Sequence, residues 1–184
     1  MNPDYKLPIR YGLIGGMIMV AISLVTYMFY ATLFGSMWIQ MAFGFLTMGI
    51  MIFIPVWGTV SYKHEMGSLS FIQAVTASMI IIFLMLLFSN IITYIIPNWL
   101  DKEYAQHLYD IVVANTTATM EKFGASDEDV EKAMARITIE QFTPTILSTL
   151  KSFGVSLGLG FILSLIVALF VKRPSKDGEV KTEA

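Results

Sequence analysis

Polar and apolar positions along this chain alternate on a scale of tens of residues rather than of helical turns or strands. No Asp, Glu, Lys, Arg or His occurs from Tyr11 to Tyr62, from Met66 to Leu100, or from Ser152 to Val171. A hydrocarbon core of about 30 Å is crossed by roughly 20 apolar helical residues. The first interval therefore holds two such helices and the others one each. Gly35-Ser36 divides the first, predicting spans over about 11–34 and 37–60. The third runs over 70–96 and stops at Pro97, whose missing N–H and bulky ring oppose a continuing helix. The fourth covers 145–171, with Thr143 as its N-cap and Pro144 at its first helical position.

The 97–144 segment between the third and fourth spans has a different pattern. Leu100, Tyr104, Leu108, Ile111, Asn115 and Ala118 recur at helical spacing until Phe123-Gly124. Ser126-Asp-Glu-Asp then reads as an N-cap followed by first-turn acids, and Val130, Met134 and Ile137 continue a second helical face. The expected fold is an all-α membrane protein. Four transmembrane helices carry an extracytoplasmic acidic helical hairpin between the third and fourth. Residues 1–171 form the single domain and 172–184 a flexible cytoplasmic tail.

Composition agrees with that class. Of 184 residues, 55% are hydrophobic and only 14% charged, with mean hydropathy +0.66. Soluble domains run near about 25% charged. A signal peptide does not account for the first span, whose apolar run exceeds the usual 7–15 residues of a signal core. The sequence lacks cysteine, which removes disulfides, thiolate nucleophiles and cysteine-ligated zinc.

Charge distribution adds orientation. Lys6, Arg10, Lys63, Lys172 and Arg173 flank the spans on one side, whereas the 97–141 stretch holds nine acids against four bases. The positive-inside rule then places both termini in the cytoplasm. Trp57 and Tyr62 would lie at the inner interface, and Trp38, Tyr94 and Trp99 at the outer one.

The fourth span repeats small residues every four positions, at Ser152, Ser156, Gly160, Ser164 and Ala168; Val167 falls outside the stripe. Gly12 and Gly16 offer the same spacing in the first span. Such rows let backbones approach closely in lipid, so they mark packing seams, within the bundle or between two copies. The spans are read as free of intramembrane charge, unlike proton-coupled or ion-coupled transporters. Gln73 and Asn90 are their strongest polar groups and are read as interhelical hydrogen bonders.

Lys63-His64-Glu65 is the one dense polar cluster between spans. Zinc needs three or four convergent ligands, and His107, the second of the two histidines, falls on the opposite membrane face. The cluster is therefore read as a hairpin hinge, with Gly67 giving the turn its freedom and Ser68 or Ser70 capping the third helix. Asn115-Thr116-Thr117 forms a glycosylation sequon that arises often by chance. Neither a nucleotide-binding loop nor a hydrolase or metalloprotease signature is found, and no cofactor is expected.

Tyr62-Lys63, Gly67, Leu69-Ser70-Phe71 and Gln73-Ala74 together resemble the loop-to-helix signature of the domain of unknown function 4199 family, small multi-pass membrane proteins found chiefly in Bacteroidota. Arg10-Tyr11-Gly12 and Ile96-Pro97 are similar to that pattern as well. The resemblance implies an integral inner-membrane protein and brings no catalytic residues. Two functions are in play. One is a non-enzymatic accessory or structural protein of the envelope, acting through a protein partner or a homo-oligomer in the lipid bilayer, with no nucleic acid. The other is a small oligomeric transporter or lipid-handling protein for uncharged or lipidic cargo. A four-helix unit of this size is expected to have little lumen of its own, so the second reading calls for oligomerisation.

Overall fold

The computed structural model describes residues 4–171 and is helical throughout its regular parts. Helix α1 spans Lys6–Met28, α2 Tyr30–Phe34, α3 Met37–Met66, α4 Phe71–Ile95, α5 Tyr104–Lys122, α6 Asp127–Met134 and α7 Ile146–Val171. Among the described residues, four stretches are long and apolar enough to cross a membrane: Lys6–Met28, Met37–Met66, Phe71–Leu100 and Ile146–Val171. The tail assigned to 172–184 lies outside the described residues.

Local chemistry sets the helix ends, and three differ from expectation. The third span does not stop at Pro97. It widens into a π-helical turn over Ile96–Leu100, in which Asp101 N–H bonds the Ile96 carbonyl at 2.8 Å. Pro97 is tolerated because it sits at the first positions of that turn, where no N–H is required. The cap of the fourth helix lies two residues later than predicted. Thr145, not Thr143, holds the cap: its Oγ1 accepts from Ser148 N–H at 3.1 Å, and Ser148 Oγ accepts from Thr145 N–H at 2.8 Å. Lys151 lies inside the predicted 145–171 span and in the second turn of α7, where it is exposed, so the reading of charge-free spans is corrected for this helix. Lys63, His64 and Glu65 are not loop residues but form the last turn of α3.

The actual turn is Gly67–Ser70. Gly67 has φ 74°, a left-handed conformation that suits glycine. Ser70 caps α4 in a capping box, with Ser70 Oγ accepting from Gln73 N–H at 3.3 Å and Gln73 Oε1 accepting from Ser70 N–H at 2.9 Å.

α4 is the central helix, lying against α1 on one side, α7 on the other and α3 across the bundle. Burial in the four long helices is weighted toward the end nearer the chain termini, here the terminal end, and reaches a little past the middle of α1 and α4; the other end carries the 97–144 cap. In α1 the buried residues run from Pro8 to Met19, in α3 from Ile54 to Tyr62, in α4 from Ala74 to Leu86, and in α7 from Gly160 to Val171. Glycines make this approach possible. A Cβ built on Gly12 would meet Leu84 Cδ1 at 2.7 Å, on Gly16 Phe88 Cδ2 at 2.6 Å, and on Gly160 Ile82 Cγ2 at 2.6 Å. Gly58 of α3 likewise faces Ile81 Cδ1 at 2.6 Å.

The small-residue stripe of α7 thus divides. Gly160, Ser164 and Ala168 are buried, Ser156 is half-buried, and Ser152 is exposed at the cap end. Val167, outside the stripe, is nevertheless only 2% exposed, since it packs with Tyr62, Ala74 and Ala77. An α-helical face wide enough to fill a bundle core includes positions flanking a single i, i+4 row.

Substituting Gly160→Leu forces a side chain into the Ile82 contact, where overpacking costs on the order of 1–3 kcal/mol. Membrane insertion should be normal and the thermal midpoint in detergent lowered. Val155→Leu, at a position 67% exposed, should melt like the parent. An unchanged midpoint for Gly160→Leu would show that α4 and α7 do not pack through this seam.

Candidate cavity at the cap end

Where the packed half of the bundle ends, polar side chains begin. The four long helices surround a cavity of about 570 Å³. α1 contributes Ser23 and Thr26, and α3 contributes Thr47. Ser89, Asn90 and Thr93 come from α4, and Ser148, Thr149 and Ser152 from α7. Met19, Ile22, Phe34 and Phe43 supply apolar wall, while Tyr104 and Leu108 of α5 and Glu140–Phe142 complete the lining on the cap side. The expectation of little lumen within one chain is corrected by this space, which falls in the range of small-molecule sites. It opens because α3 and α7 are packed only from Ile54 and Gly160 toward the terminal end. Pro55, inside α3, sits where the packing stops and lacks the N–H that would bond the Met51 carbonyl.

Several of these polar groups have a local partner, as groups in an apolar span must. Thr26 Oγ1 donates to the Ile22 carbonyl at 2.8 Å and Thr47 Oγ1 to the Phe43 carbonyl at 2.9 Å. Asn90 Nδ2 donates to the Leu86 carbonyl at 2.8 Å, within its own helix rather than across to a neighbour. Gln73 is likewise taken up by the cap of α4, at the other end of the bundle. A hydroxyl that gives its proton to the backbone still offers its lone pairs. The cavity wall therefore presents hydrogen-bond acceptors. Thr149 Oγ1 differs from these, being buried without a partner.

The roof is held by aromatic and polar contacts. Tyr104 packs edge-on against Tyr27 and Tyr30, both ring centroids at 5.3 Å. Burial pushes the Tyr104 hydroxyl up to about 12, so it remains protonated at neutral pH. Tyr30 Oη lies 3.2 Å from His107 Nδ1, and Tyr27 Oη donates to Asp101 Oδ2 at 3.3 Å. Asp101 Oδ1 also receives the N–H groups of Glu103 and Tyr104, at 3.0 and 3.1 Å, and so starts α5. Asn115 Nδ2 donates to the Phe34 carbonyl at 2.8 Å, pinning α5 to the end of α2; the sequon asparagine is thus engaged in packing. Asn98 Nδ2 donates to the Pro144 carbonyl at 2.9 Å, joining the π turn to the start of α7. Glu140, the lining carboxylate, is held below the usual range by its own backbone N–H and then by the Thr138 hydroxyl.

His64 and Glu65 are exposed at the terminal end, far in the chain and in the fold from His107. Asn90 and Ser152 of this lining were singled out from sequence as helix-contact residues, but the lining as a site was not. Its signal was present as hydroxyls three or four residues apart near one end of three of the four spans, Ser23/Thr26, Ser89/Thr93 and Ser148/Ser152. Single hydroxyls in apolar helices bond their own backbone so readily that they carry little information alone.

The chain belongs to the protein family of unknown function DUF4199, whose family model matches residues 10–173. No curated protein matches the chain, and no solved structure does.

Asp101→Ala removes the acceptor for two backbone N–H groups and for Tyr27. The expected loss is roughly 1–2 kcal/mol, localised to the cap. Proteolysis between Lys102 and Lys122 should accelerate while the spans stay protected. Equal cleavage rates in parent and variant would show that Asp101 does not anchor α5.

Proposed function

We propose that this protein is a non-enzymatic membrane protein that holds an uncharged or lipidic molecule in the cap-end cavity. The observation that carries the reading is a space of about 570 Å³ bounded by all four apolar helices, whose lining includes hydroxyls, two amides and one carboxylate but no Lys, Arg or His. A catalytic site needs a nucleophile–base pair or an acid–base pair in reach of a common point, and the hydroxyls here neighbour backbone carbonyls rather than a base. Binding needs only shape and complementary hydrogen bonds. One chain suffices for this; oligomerisation is not required.

Orientation follows from the Lys/Arg asymmetry. Both termini face the cytoplasm of a bacterial inner membrane, and the acidic helical segment of 97–144 stands outside, so the cavity lies in the outer half of the bilayer. A second reading, an accessory role through a protein partner, draws on α6. Asp127, Glu128, Asp129 and Glu131 are exposed there, and Lys132 pairs with Glu128.

Native mass spectrometry of the full chain, extracted with its surrounding bilayer, tests the cargo reading. One neutral small molecule per chain should be retained and should be lost in Ser89→Phe, which fills the cavity. A stoichiometric protein and no small molecule would instead establish the accessory role. For orientation, the cysteine-free background makes single cysteines clean reporters. In intact cells an impermeant thiol reagent should label Lys122→Cys and spare Glu65→Cys; both positions are exposed. The reverse pattern would invert the topology.

A further inference from the structure

We infer that the cavity takes a neutral, hydroxyl-bearing lipid that enters sideways from the bilayer, between the cap halves of α3 and α7. The inference rests on the cavity being a binding site, and it adds the route and the chemical class.

The route follows from which seams are tied. α4 and α7 are joined at the cap end by the Phe83–Phe153 ring contact, with centroids 5.7 Å apart, and by Asn98 on the Pro144 carbonyl at 2.9 Å. α1 is fastened beside α4 by Tyr27 on Asp101 at 3.3 Å. α1 and α3 stay packed as far as Ile22 with Ile50 and Met51, and α2 joins their ends. α3 and α7 share a cluster only at the terminal end, where Val56, Val60 and Tyr62 meet Leu163 and Val167. Beyond it, residues 37–53 of α3 and 146–159 of α7 include no buried residue. Among the described residues no hydrogen bond or ring contact bridges that seam. The aqueous side is covered by Tyr104, Leu108 and Phe142, so a molecule already in the membrane meets the open face.

The class follows from the wall chemistry. Thr26 and Thr47 have given their protons to backbone carbonyls and can only accept from a ligand. Glu140 also only accepts when ionised, and the absence of cations from the lining leaves a phosphate or carboxylate head without a counter-charge. A ligand hydroxyl can donate to these acceptors and accept in turn from a wall hydroxyl such as that of Ser89. Size selects further. The volume corresponds to roughly 20 water-sized units of about 30 Å³ each, which admits a small head and part of one chain. The remainder of a tail must stay in the bilayer, through the same opening.

The test uses the full chain in vesicles with three probes: radiolabelled monooleoylglycerol, the lysophosphatidate of the same oleoyl chain, and glycerol. Wild type should retain monooleoylglycerol over lysophosphatidate by at least about tenfold, a difference of about 1.4 kcal/mol, and should not retain glycerol. A Thr47→Cys/Ser152→Cys pair is then bridged by a bifunctional maleimide, with single alkylated variants as controls. Bridging before exposure should slow loading at least about tenfold, while bridging after loading should trap the probe. Retention of none of the three by wild type would sink the binding site itself. Equal retention of lysophosphatidate would overturn the neutral class and leave the site standing. Loading of the bridged pair at the rate of its controls, or retention of glycerol alone, would overturn sideways entry. Expulsion of preloaded probe on bridging would do the same, since it would mean the bridge occupies the cavity rather than its entrance.

Discussion

The bundle depends on how closely backbones can approach α4. Inside a bilayer no hydrophobic force drives one apolar helix onto another, because lipid tails are as apolar as leucine. Association has to come from dispersion over well-fitted surfaces, and Gly12, Gly16, Gly58 and Gly160 permit that fit. At each of them even a methyl group would collide with a side chain of α4, at 2.6–2.7 Å. These contacts make α4 central although it is the third span in the chain, and they weight tight packing toward the terminal end.

The cap half works by other means. Gly154 and Gly158 of α7 have open space around their Cβ positions, as do Gly44 and Gly49 of α3. No seam forms there. The helices are instead held by directed bonds at their ends: Asn98 to Pro144, Asn115 to Phe34, Tyr27 to Asp101. Such bonds fix positions without filling space, so a cavity persists between helices that are packed at one end and tethered at the other.

Much of this architecture was legible in the sequence because it follows from long-range composition. Charge-free intervals of span length and small residues at fixed spacing leave few alternatives in a bilayer. Features set by a single local competition were not legible. Pro97 looked like a stop, yet a π turn absorbs it; Thr143 and Thr145 are both plausible caps until Ser148 chooses the second. Gln73 looked like interhelical glue and proved to be half of a capping box. Val167 is buried through its neighbours on α3 and α4, which no one-helix pattern reveals. The cavity escaped notice for a similar reason. Its hydroxyls matter only because four helix ends bring them together.

The Asn98–Pro144 bond joins two residues 46 positions apart and closes the cap into a loop with touching ends. Once its ends meet, the interior length of such a loop enters the free energy only logarithmically. Evolution can therefore lengthen, shorten or exchange α5 and α6 without re-registering α4 against α7. The membrane part would act as a fixed socket and the cap as an interchangeable cassette, so divergence among relatives should concentrate between those two residues.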